Sequence, residues 1–134
     1  MTQEEKQLLI RDLCTRLPYG VKGLHREQVH KLFTIDGREE NNACIQVDGY
    51  DAWFSVDTFK PYLRPLLSMT KEERTEREKF IKCIIDEKNH YRHYVVFPHD
   101  SVDYHDWLDA HHFDYRGLIP MGLALEAPEG MYND

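Results

Sequence analysis

The chain is poor in most features that announce an activity. Cysteine is scarce: there are three, at positions 14, 44 and 83, an odd number with no Cys-x-x-Cys pair. That argues against a disulfide framework and for a reducing, cytoplasmic compartment. No apolar run approaches the roughly 18 residues that a membrane helix needs. Residues 1–6 are polar, unlike the start of a secretion signal. Walker loops, G-x-S-x-G and G-x-G-x-x-G patterns and a zinc knuckle are all missing, which removes the motif-based reasons to propose catalysis. Basic residues nearly vanish from the last forty positions, where Arg116 alone stands against Asp100, Asp103, Asp106, Asp109, Asp114, Glu126, Glu129 and Asp134. The whole net charge of -7 lies in that stretch. Phosphate backbones are bound by Lys and Arg that displace counterions, so this end disfavours nucleic acid and permits a basic partner.

What the sequence does hold is enough for one core. Hydrophobic residues make up 41% and aromatics 12% of 134 residues, and a chain of this size buries about two-thirds of its unfolded surface. The reading is a single α+β domain over 1–134, with a helix and sheet in 1–66 and a helical region and tail in 67–134.

Thr2 and Glu5 have capping-box spacing, and Leu9, Leu13 and Leu17 form an apolar stripe with Ile10 and Cys14 beside it. An N-terminal helix therefore runs to Pro18. From Tyr19 to Thr58 the period falls to two. Runs beginning at Tyr19, Val29, Ala43 and Ala52 are punctuated by Asp36-Gly37 and Asp48-Gly49. They predict a small curled antiparallel sheet, of which an SH3-like barrel is one form. Val29, Phe33 and Ile35 fall on one face, and core packing is expected of Trp53 or Phe54. Two prolines make residues 60–65 a connector leaving the sheet. A second capping box, Thr70 and Glu73, opens a charged helix whose later half packs through Phe80, Ile81, Ile84 and Ile85. Residues 90–97 read as a further strand. Asp100 or Ser101 caps a third helix with Tyr104, Trp107, Leu108 and His111 on one face. The apolar tail beyond Phe113 is expected to pack back on the domain.

Six of the eight histidines lie between 90 and 112. On the third helix His105, Asp109 and His112 are spaced four and three apart, placing two imidazoles and a carboxylate on consecutive turns. That donor set suits a divalent metal with open positions, hence a metal-dependent hydrolase. The plain alternative is the wet side of an amphipathic helix. Cys14 and Cys83 adjoin Leu13 and Ile84, as buried thiols do. Tyr19, Tyr50, Trp53 and Phe54, with Lys22, Arg26 and Lys31, supply the material of a base-stacking barrel. Residues 1–40 are neutral overall, which weighs against it.

Three blocks stand together: Leu17-Pro-Tyr-Gly-Val21, residues 53–70 (WFSVDTFKPYLRPLLSMT) and residues 107–132 (WLDAHHFDYRGLIPMGLALEAPEGMY). They resemble an uncharacterised family of small proteins from gut anaerobic bacteria and their prophages and mobile elements. The family has no established activity, so the resemblance transfers no catalytic residue. It implies a cytoplasmic accessory protein of phage or mobile-element context that binds another protein. The surface is His111, His112, Asp114, Tyr115 and Arg116, with tail anchoring by Tyr115, Leu118 and Ile119 as the competing role. The expectation is a non-catalytic protein-binding or adaptor module without a cofactor. Its alternatives are the metal-dependent hydrolase and the nucleic-acid-binding barrel. Exchange of the apolar tail between copies is a route to a homodimer.

Overall fold

Helix α1 (Gln3–Arg16) opens where Thr2 and Glu5 exchange hydrogen bonds, each side chain accepting from the other's backbone N–H at 3.1 Å. The computed structural model of the chain describes residues 1–37, 43–86, 91–96 and 98–133, without the side chains of 82–86, 91–95 and 98–100. The buried face of α1 is Leu9, Asp12, Leu13 and Arg16, one helical stripe at spacings of three and four. Cys14 lies off that stripe and is exposed, so the expected buried thiol is corrected there. Cys83 falls among the side chains outside the description. After α1 a single 3-10 turn, Leu17–Tyr19, ends at Gly20, whose φ of 72° reverses the chain.

Strands β1 (Lys22–His25), β2 (Gln28–Asp36), β3 (Cys44–Val47), β4 (Phe54–Ser55), β5 (Phe59–Leu63) and β8 (Leu125–Glu126) form one sheet in the order β4-β3-β2-β1-β5-β8. The fold class is α+β, as expected, but the sheet is mixed. The tail returns alongside β5 in the same direction, pairing Tyr62 with Leu125 and Leu63 with Glu126. Among the described strands the sheet is open. Its two edges, β4 and β8, are two residues long and leave no ladder with which to close an SH3-like barrel.

Two local expectations for the sheet are overturned. Residues 59–63 are not a connector but a strand between β1 and β8. Pro61 is tolerated because it lies opposite Gly23 and pairing with β8 starts one residue later, at Tyr62. Gly23 is required in turn, since a Cβ there would stand 2.3 Å from Cζ of the buried Phe59 ring. In β2 the alternation breaks where Leu32 pairs with Val47 and Thr34 with Gln46, a bulge that makes Phe33 the extra residue. Leu32 is buried, whereas Val29 and Phe33 are 50% and 69% exposed. Trp53 stands half out of the protein, while Phe54 packs against the core.

That core is built from Leu9 and Leu13 of α1 against Val21, Leu32, Ile45, Val47, Phe59 and Leu63 of the sheet side. Leu118 and Leu123 of the returning tail seal it. A smaller cluster holds Met69, Leu108 and Phe113, flanked by Tyr104, Trp107 and Tyr115.

Helix α2 (Lys71–Arg77) has the expected capping box, Thr70 with Glu73, but stops early. Residues 81–86 are not its packing face; they form β6 (Ile81–Asp86), paired antiparallel over six positions with β7 (Tyr91–Val96). Isoleucines favour a paired strand over a helix once a complementary strand is there to pair with them. Helix α3 (Pro98–Ala110) starts at Pro98, before the expected Asp100 or Ser101, because proline at the first helical position gives up no internal hydrogen bond. Among the described residues no helix is long and apolar enough to cross a membrane.

Candidate functional site at the C-terminal cleft

The end of α1 carries two polar side chains in full burial, Asp12 and Arg16. They are kept there by pairing: Arg16 Nε and Nη2 donate to the Asp12 carboxylate at 2.8 and 3.0 Å, and Nη2 also donates to the Phe113 carbonyl at 2.6 Å. Arg116 adds a second cation to Asp12 at 2.8 Å. Asp109, at the end of α3, lies 4.0 Å from Arg16 and accepts from the Tyr115 hydroxyl at 2.8 Å and from Thr15 at 3.3 Å. Burial raises the Asp109 carboxyl, opposed first by the Tyr115 hydrogen bond and then by Arg16 and Arg116. Two carboxylates and two guanidiniums thus bind α1, α3 and residues 113–116 into one unit. Charges removed from water this far must be matched to be tolerated.

That unit sets the direction of the chain at residues 111–114. His112 takes a left-handed φ of 63°, its carbonyl accepts from Arg64 N–H at 2.7 Å, and the Arg64 carbonyl accepts from Asp114 N–H at 2.8 Å. The end of β5 is thereby clamped to the segment after α3. The Arg64 guanidinium lies 4.4 Å from the Phe113 ring centre and forks onto Glu73 at 2.7 and 2.6 Å. Those bonds, with Thr70 N–H, pull the Glu73 carboxyl down to about 2.

Over this floor the tail closes as a strap. Tyr132 stacks on the His112 ring with centroids 3.5 Å apart. Its hydroxyl donates to the Tyr62 carbonyl at 2.7 Å and accepts from Lys22 N–H at 3.0 Å. Burial pushes that hydroxyl up to about 12. Lys22 Nζ holds the strap again by donating to the Met131 carbonyl at 3.1 Å. Between floor, strap and the start of α2 lies a cleft of about 590 Å³, walled by Arg64, Glu73, His111, His112, Glu126, Glu129, Met131 and Tyr132.

The residues expected to bind divide cleanly. His111 and His112 line the cleft. His111 Nδ1 donates to the Trp107 carbonyl at 2.9 Å, and His112 is 7% exposed with a buried Nδ1 that has no partner among the described residues. Asp114, Tyr115 and Arg116 are committed to the fold. Asp114 accepts from Leu118 and Ile119 N–H at 2.8 and 2.9 Å, Tyr115 binds Asp109, and Arg116 binds Asp12.

The expected metal triad does not assemble. Helix α3 ends at Ala110, so His112 leaves the helix and turns to Tyr132, while Asp109 faces Arg16 and His105 bonds the Ser101 carbonyl at 2.7 Å. Among the described residues no group of three His, Cys, Asp or Glu is placed to hold a metal. Sequence reasoning missed Arg64 and Tyr132, and named Glu126 and Glu129 only as part of the acidic end. Of these, Tyr132 had a visible signal, an aromatic in a tail already read as packing back. No family model, curated protein or solved structure matches the chain.

Proposed function

We propose that the chain is a non-catalytic protein-binding or adaptor module that receives a segment of its partner in the C-terminal cleft. The observation that carries this reading is the cleft itself. Its volume lies in the roughly 300–1,000 Å³ range of binding pockets, yet the polar groups of its floor are spent on structure. Glu73 is forked by Arg64, and the Tyr132 hydroxyl is held by backbone. His112 is kept neutral near pH 7 by burial. Such a surface recognises shape and charge. Between Pro65 and Ser68 of the cleft wall the chain also carries Leu66 and Leu67, 41% and 91% exposed.

A cytoplasmic setting and an association with phage or mobile elements belong to the same proposal, supported by the cysteine usage and the three sequence blocks alone. The test is paired affinity capture from a native lysate with the wild-type chain and Ser68→Arg, which fills the cleft mouth. A protein recovered in stoichiometric amount by the first and lost by the second is expected. Recovery unaffected by Ser68→Arg, or no recovery, would refute the reading.

The nucleic-acid alternative retains one supporting observation: Tyr50 and Trp53 are 42% and 50% exposed, and Arg26 stacks on Phe54 at 4.7 Å. Absence of single-stranded DNA retention at low salt would dismiss it.

A further inference from the structure

The sheet has a second face that the core leaves unused. Residues directly opposite in an antiparallel pair share a face. The register therefore sets Lys60, Leu24 and Val29 in one row across β5, β1 and β2, and Lys22 opposite Lys31 in the next. Gly23 and His25, which alternate with them along β1, are buried on the other side. Lys31 and Lys60 are exposed, and Phe33, two positions beyond Lys31, stands in solvent with them. Leu24 is half-buried and belongs to neither apolar cluster. Scattered exposed apolar residues are ordinary, but here three adjoin on one open surface bordered by lysines. Among the described residues neither the Lys31 nor the Lys60 ammonium has an ion-pair partner. Lysines set opposite each other, as Lys22 and Lys31 are, repel.

A surface of matching chemistry lies on the same chain. Along the outward face of α3, Val102 is 69% exposed, and Asp103 and Asp106 are exposed with it. Asp106 stands one turn beyond both, so the three form one patch, acidic beside an apolar centre. Among the described residues neither carboxylate has a cation. The turn from Val102 to Asp106 rises about 6 Å, close to the step of about 7 Å between the two rows of the sheet. Within one chain the two surfaces are kept apart: Asp109 ties α3 to Thr15 and Arg16 of α1, and α1 packs on the opposite face of the sheet. We infer that the outer sheet face receives a second copy of this chain, which lays its α3 across β5, β1 and β2. Val102 then enters among Leu24, Val29 and Phe33, while Asp103 and Asp106 approach Lys31 and Lys60. The contact joins unlike surfaces, so it is heterologous, and a pair of chains keeps one free sheet face and one free α3. This surface is separate from the C-terminal cleft and stands whether or not the cleft binds a partner.

The experiment is sedimentation velocity on the full chain, from micromolar to near-millimolar concentration in about 50 mM salt. Wild type should sediment faster than a single chain as concentration rises. Phe33→Glu and Val102→Glu, both at exposed positions, should each weaken association by about tenfold or more. Mixed in equal amounts, the two variants should recover a pair that grows no further, because each supplies the surface that the other lacks. Lys31→Glu/Lys60→Glu should weaken association as well, and an unchanged affinity there would refute the charge pairing on which the choice of occupant rests. Wild type that stays a single chain throughout would overturn the inference and leave the face to a foreign partner. Sensitivity to Phe33→Glu without sensitivity to Val102→Glu would overturn it in favour of two sheet faces packed on each other. Insensitivity to both, or variants that fail to recombine, would overturn it outright.

Discussion

Mild acid should loosen the C-terminal strap through a single residue. His112 is packed face to face on Tyr132, which fastens the strap to β1 and β5, and among the described residues its Nδ1 has no acceptor to welcome a proton. Burial first, then the nearby cations Arg16, His111, Arg64 and Lys22, push its pKa from 6.5 down to about 4. The unfolded chain takes that proton near 6.5, the folded chain only near 4. Between those values the unfolded state binds more protons, so stability falls as pH falls. The contribution is complete above 6.5 and exhausted below about 4. The difference of about 2.5 units, at about 1.4 kcal/mol per unit, gives about 3 kcal/mol. That is a large share of the roughly 5–15 kcal/mol that holds a domain folded.

Urea unfolding at pH 7, 6, 5 and 4 reads this directly when wild type is compared with His112→Phe. The phenyl ring retains the stack and takes no proton, so the slope with pH, rather than the absolute stability, carries the answer. Wild type should lose about 3 kcal/mol more than the variant across the window. Titrations shared by both proteins, including that of Glu73 from 4.5 down to about 2, cancel in the comparison. Parallel pH dependences would refute the assignment of the buried imidazole.

Arg16→Leu should destabilise by about 3–5 kcal/mol in urea, since it leaves Asp12 buried and the Phe113 carbonyl without its donor; a loss under about 1 kcal/mol would contradict the network described. Gly23→Ala should lose about 2 kcal/mol or more because its methyl meets the Phe59 ring, and Phe59→Leu added to it should recover part of that loss. Tyr132→Phe removes the hydroxyl shared by Lys22 N–H and the Tyr62 carbonyl. A loss of about 1–3 kcal/mol with faster hydrogen exchange at Lys22 is expected. Leu67→Ser, at a side chain 91% exposed, should leave the urea midpoint within about 0.5 kcal/mol of wild type while weakening partner capture.

The features legible in the sequence are those that a few neighbouring residues decide. Both capping boxes form because the reciprocal bonds span three residues. The Asp48-Gly49 turn forms because Gly49 can hold a φ of 85°. The Tyr104, Trp107 and Leu108 face of α3 packs as its spacing implies. What escaped depends on partners far along the chain. Ile81, Ile84 and Ile85 fit either a helix face or a strand, and the pairing with residues 91–96 decides for the strand. Pro61 reads as a break until Gly23 is placed opposite it. Asp12 and Arg16 drew no notice in the sequence because the carbonyl that makes the burial of Arg16 affordable lies 97 positions away.

The acidic C-terminal stretch shows why composition could point to this end of the protein without locating the site. Its carboxylates were legible as one uniform face, but the fold separates them. Asp109 is spent on Tyr115 and Thr15, and Asp114 on two backbone amides. Glu126 and Glu129 stay in the open beside a cavity. Two carboxylates, rather than the net charge of -7, are therefore what the hydrogen-bonded scaffold leaves uncommitted at this end. Neutralising Asp109 or Asp114 should act on stability, and neutralising Glu126 or Glu129 on binding alone. That division exists only because His112 turns left-handed after Ala110 and brings the strap over the cleft.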